Sequence, residues 1–532
     1  MEGSFKIVGE YGNYQNHIKV ILLSCAFLTD IYTLQIGLML KLPKLNIMEK
    51  SIINTNNKIN YTSFDTLFFF NLTNIDKQFC NEKKYLIEVD NSTTLKNWNF
   101  EFSFFCKNEW YSIAIIIFII IGTIFGLIFF SPLPDRIGRE KVFKYSMIFS
   151  AFLHLNLFFC LNSFHLILIN FFGGLNSFLY VISFICITEY LPIESNGINI
   201  GIFNAMNPLY GIILYFFLKI SKNWRIIFFW TSIFNTLLAG YTWKYFLESP
   251  RYLYSIGQKI KCLSVLDKIS LYNGTLTNWN EYQKINIENA NRFGRASTNF
   301  TKLFNFELDR GEREQDYKGI TIYDLFKFKS QIKIMSILFI LCFMSSFNLN
   351  GVLFILFKNT HDYINTFILL MFLKVIIGMI VGYICDIIGR KPIIMFGGLL
   401  GSICYFIFTE NNSDFFIIIS LICFHAINIV LFIYIPENIP TPIRSTLSGW
   451  IFLIYKVSPL FLEFFYKCVK KEVFNYCIIL SGVLGGLCAL FLRETLGKNM
   501  NDIIPELKEK IESLDNYNLK SFHSTEYPSF LI

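Results

Sequence analysis

The sequence predicts an all-α membrane protein whose twelve spanning helices form two bundles of six. Two observations carry this expectation: apolar runs of spanning length, and acidic anchors that recur at a separation of about 250 residues. Composition excludes the soluble alternative. Charged residues make up 16% of the 532, against roughly 25% in soluble proteins, while 53% are hydrophobic and 60 are Phe. So much apolar surface cannot all be hidden in a globular core, and hydrocarbon is the solvent that tolerates it outside.

A helix needs about 20 largely apolar residues to cross a bilayer and must satisfy its own backbone there. Qualifying runs start near Ile18, Trp110, Tyr145, Phe164, Ile198 and Ile226, and again near Ile334, Ile364, Ile393, Phe415, Thr446 and Val473. The start carries Glu2 and Glu10 with no small-residue cleavage site, so the first run is read as a permanent span. The net charge of +8 is spread over short loops, where it sets orientation rather than marking a nucleic-acid footprint. The 13 cysteines include no CxxC pair and no Cys/His cluster, so no metal is expected. Neither a nucleophile elbow nor a P-loop appears, so neither an enzyme, an ATP-driven pump nor a cofactor is expected.

Two polar segments interrupt the spans. Residues 41–109 hold three sequons, at Asn60, Asn71 and Asn91, together with Cys80 and Cys106. Such clustering predicts a large glycosylated extracellular loop in an oxidising space, with the two cysteines as disulfide candidates. Residues 248–333 are mixed-charge and read as a cytoplasmic linker, although they too contain sequons, at Asn273 and Asn299. Arg136, Arg139, Lys141, Lys144, Arg390, Lys391 and Arg444 all fall on the side opposite 41–109, which makes that side cytoplasmic. The expected organisation is a cytoplasmic N-terminus (1–17), a first bundle (18–247), the linker, a second bundle (334–493) and a cytoplasmic tail (494–532).

The halves echo each other. Asp135-Arg-Ile-Gly-Arg139 matches Asp386-Ile-Ile-Gly-Arg390, Glu189 matches Glu437, and Glu248 matches Glu494, at offsets of 251, 248 and 246 residues. Each anchor falls at the cytoplasmic end of the equivalent helix. A duplicated bundle of this kind puts a substrate site at the interface near the midplane, and rocking of the halves gives alternating access.

At these residues the chain resembles the major facilitator superfamily, and within it the organic cation, anion and zwitterion transporters (solute carrier 22-like). Ser131-Pro-Leu-Pro-Asp-Arg-Ile-Gly-Arg-Glu140 is similar to the superfamily signature G-x-L-x-D-R-x-G-R-[KR]. Glu248-Ser-Pro-Arg-Tyr-Leu253 resembles ESPRWL, and Asn223-Trp-Arg225 the family's D-W-R. Tyr323-Asp-Leu-Phe-Lys327, Glu437-Asn-Ile-Pro-Thr-Pro-Ile-Arg444 and Glu494–Gly497 complete the likeness. The long loop 41–109 separates this branch from sugar porters. The resemblance implies the major facilitator fold, a carrier working as a monomer in the plasma membrane, and an inner gate. Asp135, Arg139, Glu189 and Arg251 would latch the first half, and Asp386, Arg390, Glu437 and Arg444 the second, through guanidinium–carboxylate pairs. The chain departs from the family at Ser131, Glu140, Asn170 and Asn196; Asn196 stands where the second half has Arg444, so one latch is expected to be weaker.

Ionisable residues inside spans are functional candidates by default. Here they are Asp30, His154, Lys374, His425, Lys456 and Glu463. By the resemblance, Lys456 and Lys374 line the substrate cavity, with Asp30 and Asn350 as further candidates. Two lysines favour an organic anion. Organic cations or zwitterions come next, then a sugar-porter-like carrier, then a non-transporting receptor or scaffold derived from a carrier.

Overall fold

Twelve helical rods in two sets of six are seen in a computed structural model of the chain. The structure describes residues 2–29, 39, 45–49, 59–61, 85–89, 96–102, 104, 109–221, 223–281, 283–284, 329–359, 363–498 and 500. The first set is α1 (Asn13–Thr29), α2 (Glu109–Phe125, prolonged by a π turn at Gly126–Phe130 and by Leu133–Ile137), α3 (Arg139–Phe158), α4 (Ser163–Leu175 and Phe178–Tyr190), α5 (Asn196–Ser221) and α6 (Trp224–Tyr245). The second is α7 (Lys329–Asn359), α8 (Tyr363–Ile388), α9 (Arg390–Asn411), α10 (Asp414–Asn438), α11 (Arg444–Cys468) and α12 (Lys471–Cys488). Among the described residues, nine segments are long and apolar enough to cross a membrane.

Burial sorts the rods. Every residue of Phe178–Tyr190 is buried, as is the whole run 426–437 of α10, so these two helices form the centre. Phe118, Phe125 and Phe129 of α2, Phe396 of α9 and Leu480 of α12 are exposed, the pattern of helices that face lipid. The halves meet closely where α5 crosses α8. A Cβ on Gly201 would lie 2.4 Å from the Gly378 carbonyl oxygen, so the two backbones approach only because neither position has a side chain.

The all-α membrane fold carries one small addition, a three-stranded sheet. In the loop after α1, β1 (Leu45–Glu49) pairs antiparallel with both β2 (Ile59–Tyr61) and β3 (Tyr85–Val89), in the order β2-β1-β3. Asn60 lies in β2; Asn71, Asn91, Cys80, Cys106 and Asp30 lie outside the described residues. The loop returns at Trp98, whose buried ring meets Trp224 edge-on at 6.1 Å. Glu101 there accepts from the Trp224 indole (2.6 Å) and pairs with Arg225, which also donates to the Phe158 carbonyl at the end of α3 (2.7 Å). The Asn223-Trp-Arg225 motif is therefore the anchor between loop and bundle.

A second anchor holds the N-terminal helix Glu2–Val8 to the linker helix Lys259–Asn273. Asn273 accepts from the Tyr14 amide (2.9 Å), and its Nδ2 donates to Val8 O (3.0 Å), Gly9 O (3.1 Å) and Gln15 Oε1 (3.0 Å). The atom a glycan would occupy is thus fully engaged.

Candidate functional site

The repeated acids gather at one end of the molecule, here termed the gate end, and four of them, Asp135, Asp386, Glu248 and Glu494, each sit at a helix N-terminus. First-turn amides there lack intrahelical partners and the helix dipole favours negative charge, so a carboxylate is the natural occupant. Asp135 reaches across to the start of α11, accepting from the Ser445 amide (3.2 Å), the Thr446 amide (2.7 Å) and the Thr446 hydroxyl (2.8 Å). Asp386 does the same in mirror fashion at the start of α5, accepting from Gly197 and Ile198 at 2.9 Å each. The bridge between halves is thus largely carboxylate-to-amide, where the sequence pointed to guanidinium–carboxylate pairs.

The third repeat acts within each half. Glu248 accepts from the amides of Arg139 (2.8 Å) and Glu140 (3.3 Å) at the start of α3, and Glu494 from Arg390 (3.0 Å) and Lys391 (2.9 Å) at the start of α9. This explains the glycine in both D-x-x-G-R loops. Gly138 and Gly389 have φ of 111° and 104°, and a Cβ would stand 2.2 Å from Glu248 Oε2 and 2.8 Å from Glu494 Oε2. The two glutamates differ in solvation. Burial pushes the Glu248 carboxyl up to about 7, against Arg139 and three amide donors. Burial opposes ionisation of Glu494 too, but the amides of Arg390, Leu496, Lys391 and Thr495 outweigh it and hold its carboxyl below the ordinary value.

The arginines complete the network unequally. Arg444 crosses to Glu189 (2.9 Å), with both side chains fully buried. Arg139 pairs with Asp135 (3.0 Å), lies 3.4 Å from Glu189 off the hydrogen-bonding line, and donates across the halves to the Thr441 carbonyl (2.7 Å). Glu189 therefore has two guanidinium partners. Its counterpart Glu437 has one, Arg390 (2.9 Å), plus the Thr495 hydroxyl (2.5 Å). Asn196 is buried beside Glu437, yet neither of its amide atoms reaches hydrogen-bonding geometry. Arg251 lies buried under the Phe5 ring, 5.4 Å from its centroid, while its neighbour Tyr252 supports Arg139 at 4.0 Å. The Arg444–Glu189 crossing regroups the latches that the sequence assigned half by half.

Half-way up the rods lie the other candidates. Lys456 places its ammonium 5.3 Å from the Phe452 centroid, and Lys374 is half-buried in the middle of α8. Asn350 is turned to its own helix, donating to Ser346 O (2.8 Å). His154 is buried, with its Nδ1 against Ser150 O (2.7 Å) and Asn235 Nδ2 (3.0 Å). Sequence reading missed the aromatic cluster that spans the halves here. Tyr180 of α4 meets Phe452 of α11 (5.5 Å) and Phe432 of α10 (6.1 Å), and Phe432 meets Tyr455 (5.5 Å). With 60 Phe in the chain, no residue count could single these out. Among the described residues, no group of three metal-ligating side chains occurs.

Two six-helix bundles, bridged at one end by repeated acidic loops and meeting at mid-length over polar and aromatic side chains, are the architecture of a membrane carrier. The profile of the Major Facilitator Superfamily matches residues 103–462, and the chain belongs to that superfamily. It is 22% identical over 459 residues to Organic cation/carnitine transporter 2 of Rattus norvegicus, covering 83% of this chain and 76% of that one. It is 21% identical over 366 residues to Organic cation/carnitine transporter 7 of Arabidopsis thaliana, covering 60% and 71%. Solute carrier family 22 member 15-like of Xenopus laevis is 27% identical over 203 residues, 36% of this chain and 39% of that one. Among solved structures, the proton:xylose symporter XylE bound to 6-bromo-6-deoxy-D-glucose shares the fold, with a TM-score of 0.59 at 15% identity over 92% of this chain and 98% of the other. The chain is thus a superfamily transporter related to organic cation/carnitine and solute carrier 22-like transporters.

Proposed function

We propose that the protein moves small organic ions, organic anions in preference, across the plasma membrane by alternating access, with both termini and the linker in the cytosol. The observation that carries the anion preference is the pair of mid-depth ammonium groups, Lys374 and Lys456, on helices that also border the other half. Opposite charge is what such a cavity recruits. The orientation rests on the basic residues crowded at the gate end, Arg136, Lys141, Lys144 and Lys391 among them. Asp135, Asp386 and the Arg444–Glu189 pair would then form the inner gate, whose rupture admits substrate from the cytosolic side.

An organic cation or zwitterion carrier is the second reading. The rings of Tyr180, Phe432, Phe452 and Tyr455 offer π faces that suit an ammonium, and two relatives are named for organic cations and carnitine. A competition uptake screen with one organic anion, one quaternary ammonium and one hexose decides between them. Under the first reading only the anion competes, and Lys456→Asp abolishes its uptake or turns selectivity toward the cation. Anion uptake unaltered by Lys456→Asp makes that lysine structural, and saturable binding with no flux of any of the three ends the carrier reading.

A further inference from the structure

His425 is the twelfth residue of α10, and Lys374 the twelfth of α8, so both stand at mid-length. α8 and α10 pack against each other, and the imidazole faces the Lys374 main chain within reach of the charge on its ammonium. Neither ring nitrogen completes a hydrogen bond, and the Lys374 ammonium has neither an ion pair nor a hydrogen bond with any described residue. One turn along α10 the Asn428 oxygen is buried without a donor, and so is the hydroxyl of Ser345 on α7, whose carbonyl Asn428 approaches at 3.5 Å. Two turns along is Phe432, on the same stripe of the helix. Since Phe432 meets rings of α4 and α11, that stripe faces the boundary between the bundles.

Polar atoms buried without partners at a mid-depth interface call for a ligand. Its charge follows from the neighbours. At this depth the described residues of the packed helices include Cys342 (α7), Cys404 (α9), Tyr455 and Lys456 (α11), Tyr180 (α4) and Tyr210 (α5) as titratable groups, none of them a carboxylic acid. Asp386 and Glu437 are each twelve residues further toward the gate end, about 18 Å of helix rise, and Glu463 is seven residues beyond Lys456 in the other direction.

We propose, resting on the transporter reading above, that Lys374 and His425 hold the carboxylate or sulfonate group of an organic anion and that the anion is carried together with a proton on His425. A proton there alone would set an imidazolium beside an ammonium with no counter-charge, a repulsion several-fold larger than in water. An anion between them accepts a charge-assisted hydrogen bond from each, so each ligand raises the affinity for the other by the same factor. Adding one anion and one proton leaves the charge of the site as it was when empty, so the loaded and empty forms cross the membrane field alike.

The test uses the full-length chain in liposomes with benzenesulfonate, which stays ionised from pH 5.5 to 7.5 and does not cross lipid by itself. Binding is expected to tighten by up to about tenfold per pH unit on acidification, and uptake to carry protons that an internal pH dye records. His425→Gln is expected to weaken binding most at pH 5.5 and to lose both the pH slope and the dye signal; Lys374→Gln weakens binding at every pH. A wild-type affinity that ignores pH, or a His425→Gln variant that keeps the slope, overturns the proposal. Tetraethylammonium flux without sulfonate binding overturns it while leaving a carrier in place. Proton-linked binding with no flux of anion, cation or hexose overturns the carrier reading and the carriage of the proton with it, and leaves only the binding site.

Discussion

Removal of the Asp135 carboxylate should open the gate end, and by an amount the structure allows to be worked out. The group accepts two short bonds, from the Thr446 amide at 2.7 Å and hydroxyl at 2.8 Å, and a longer one from Ser445 at 3.2 Å. Bonds to a charged group contribute about 1.5–3 kcal/mol each. Burial of the carboxylate offsets part of that, so the lower figure applies to the two short bonds and the long one is neglected. Asp135→Ala then costs about 3 kcal/mol, or roughly a hundredfold in the ratio of open to closed forms. Arg139 still faces Glu189, so no charge is orphaned. Asp135→Asn keeps an acceptor that caps a helix as well as Asp does and should cost about half as much. Hydrogen exchange read by mass spectrometry in lipid nanodiscs checks this. The amides of Ser445 and Thr446 should exchange roughly a hundredfold faster in the Ala variant. The amides of Gly197 and Ile198, bound to the untouched Asp386, should speed up in step, because rocking the halves apart breaks both bridges at once. Faster exchange confined to 445–446 would mean local fraying, and unchanged protection there would refute the reasoning outright.

Three further outcomes are expected. Asn196→Arg supplies Glu437 with the cross-half partner it lacks, so uptake should slow several-fold while the melting temperature of the purified protein rises; faster uptake would contradict the latch assignment. Gly138→Ala and Gly389→Ala force a side chain into positive φ against a glutamate carboxylate and should each cost about 1–3 kcal/mol, whereas Gly240→Ala, with open space around it, should leave the melting temperature nearly unchanged. The Glu248 carboxyl, held up to about 7 in the fold, binds its proton more tightly folded than unfolded. Its contribution is therefore complete below about 4.5 and is lost as pH rises toward 7, a fall of about 3 kcal/mol. Melting curves at pH 5.5 and 7.5 should show about 2 kcal/mol of that fall in the wild type and a smaller one in Glu248→Gln.

The division into two sets of six was legible because both signals behind it are local. Apolar length decides what can span, and D-x-x-G-R is required by one backbone geometry, a positive φ packed under a glutamate, that both halves share. The partners of those residues were not legible. Asp135 and Asp386 bind main-chain amides, which every residue but proline offers, so the recipients leave no mark in the sequence. The unequal latch could be read from Asn196 alone, since a missing arginine shows directly. His425 stood out only as an ionisable residue in a span; its nearness to Lys374 depends on how α8 and α10 are rotated, which periodicity does not specify. The sheet in the loop was missed because strands of three and five residues give too little alternation to recognise.

The clasp at Asn273 also sets a clock on assembly. Tyr14 and Asn273 are separated by 259 positions, so at roughly 5–20 residues per second the ribosome needs roughly 13 to 50 seconds after making the first residue to deliver the second. During that interval α1 through α6 are threaded into the bilayer while residues 2–15 wait without their partner. The first bundle therefore reaches its final form only once the linker has emerged and Asn273 has escaped the glycosylation machinery that its own Asn-Gly-Thr triplet would attract. A nascent chain that exposed this linker to the glycosylation machinery would carry a sugar on the very nitrogen that must close the clasp, and folding would fail at one atom.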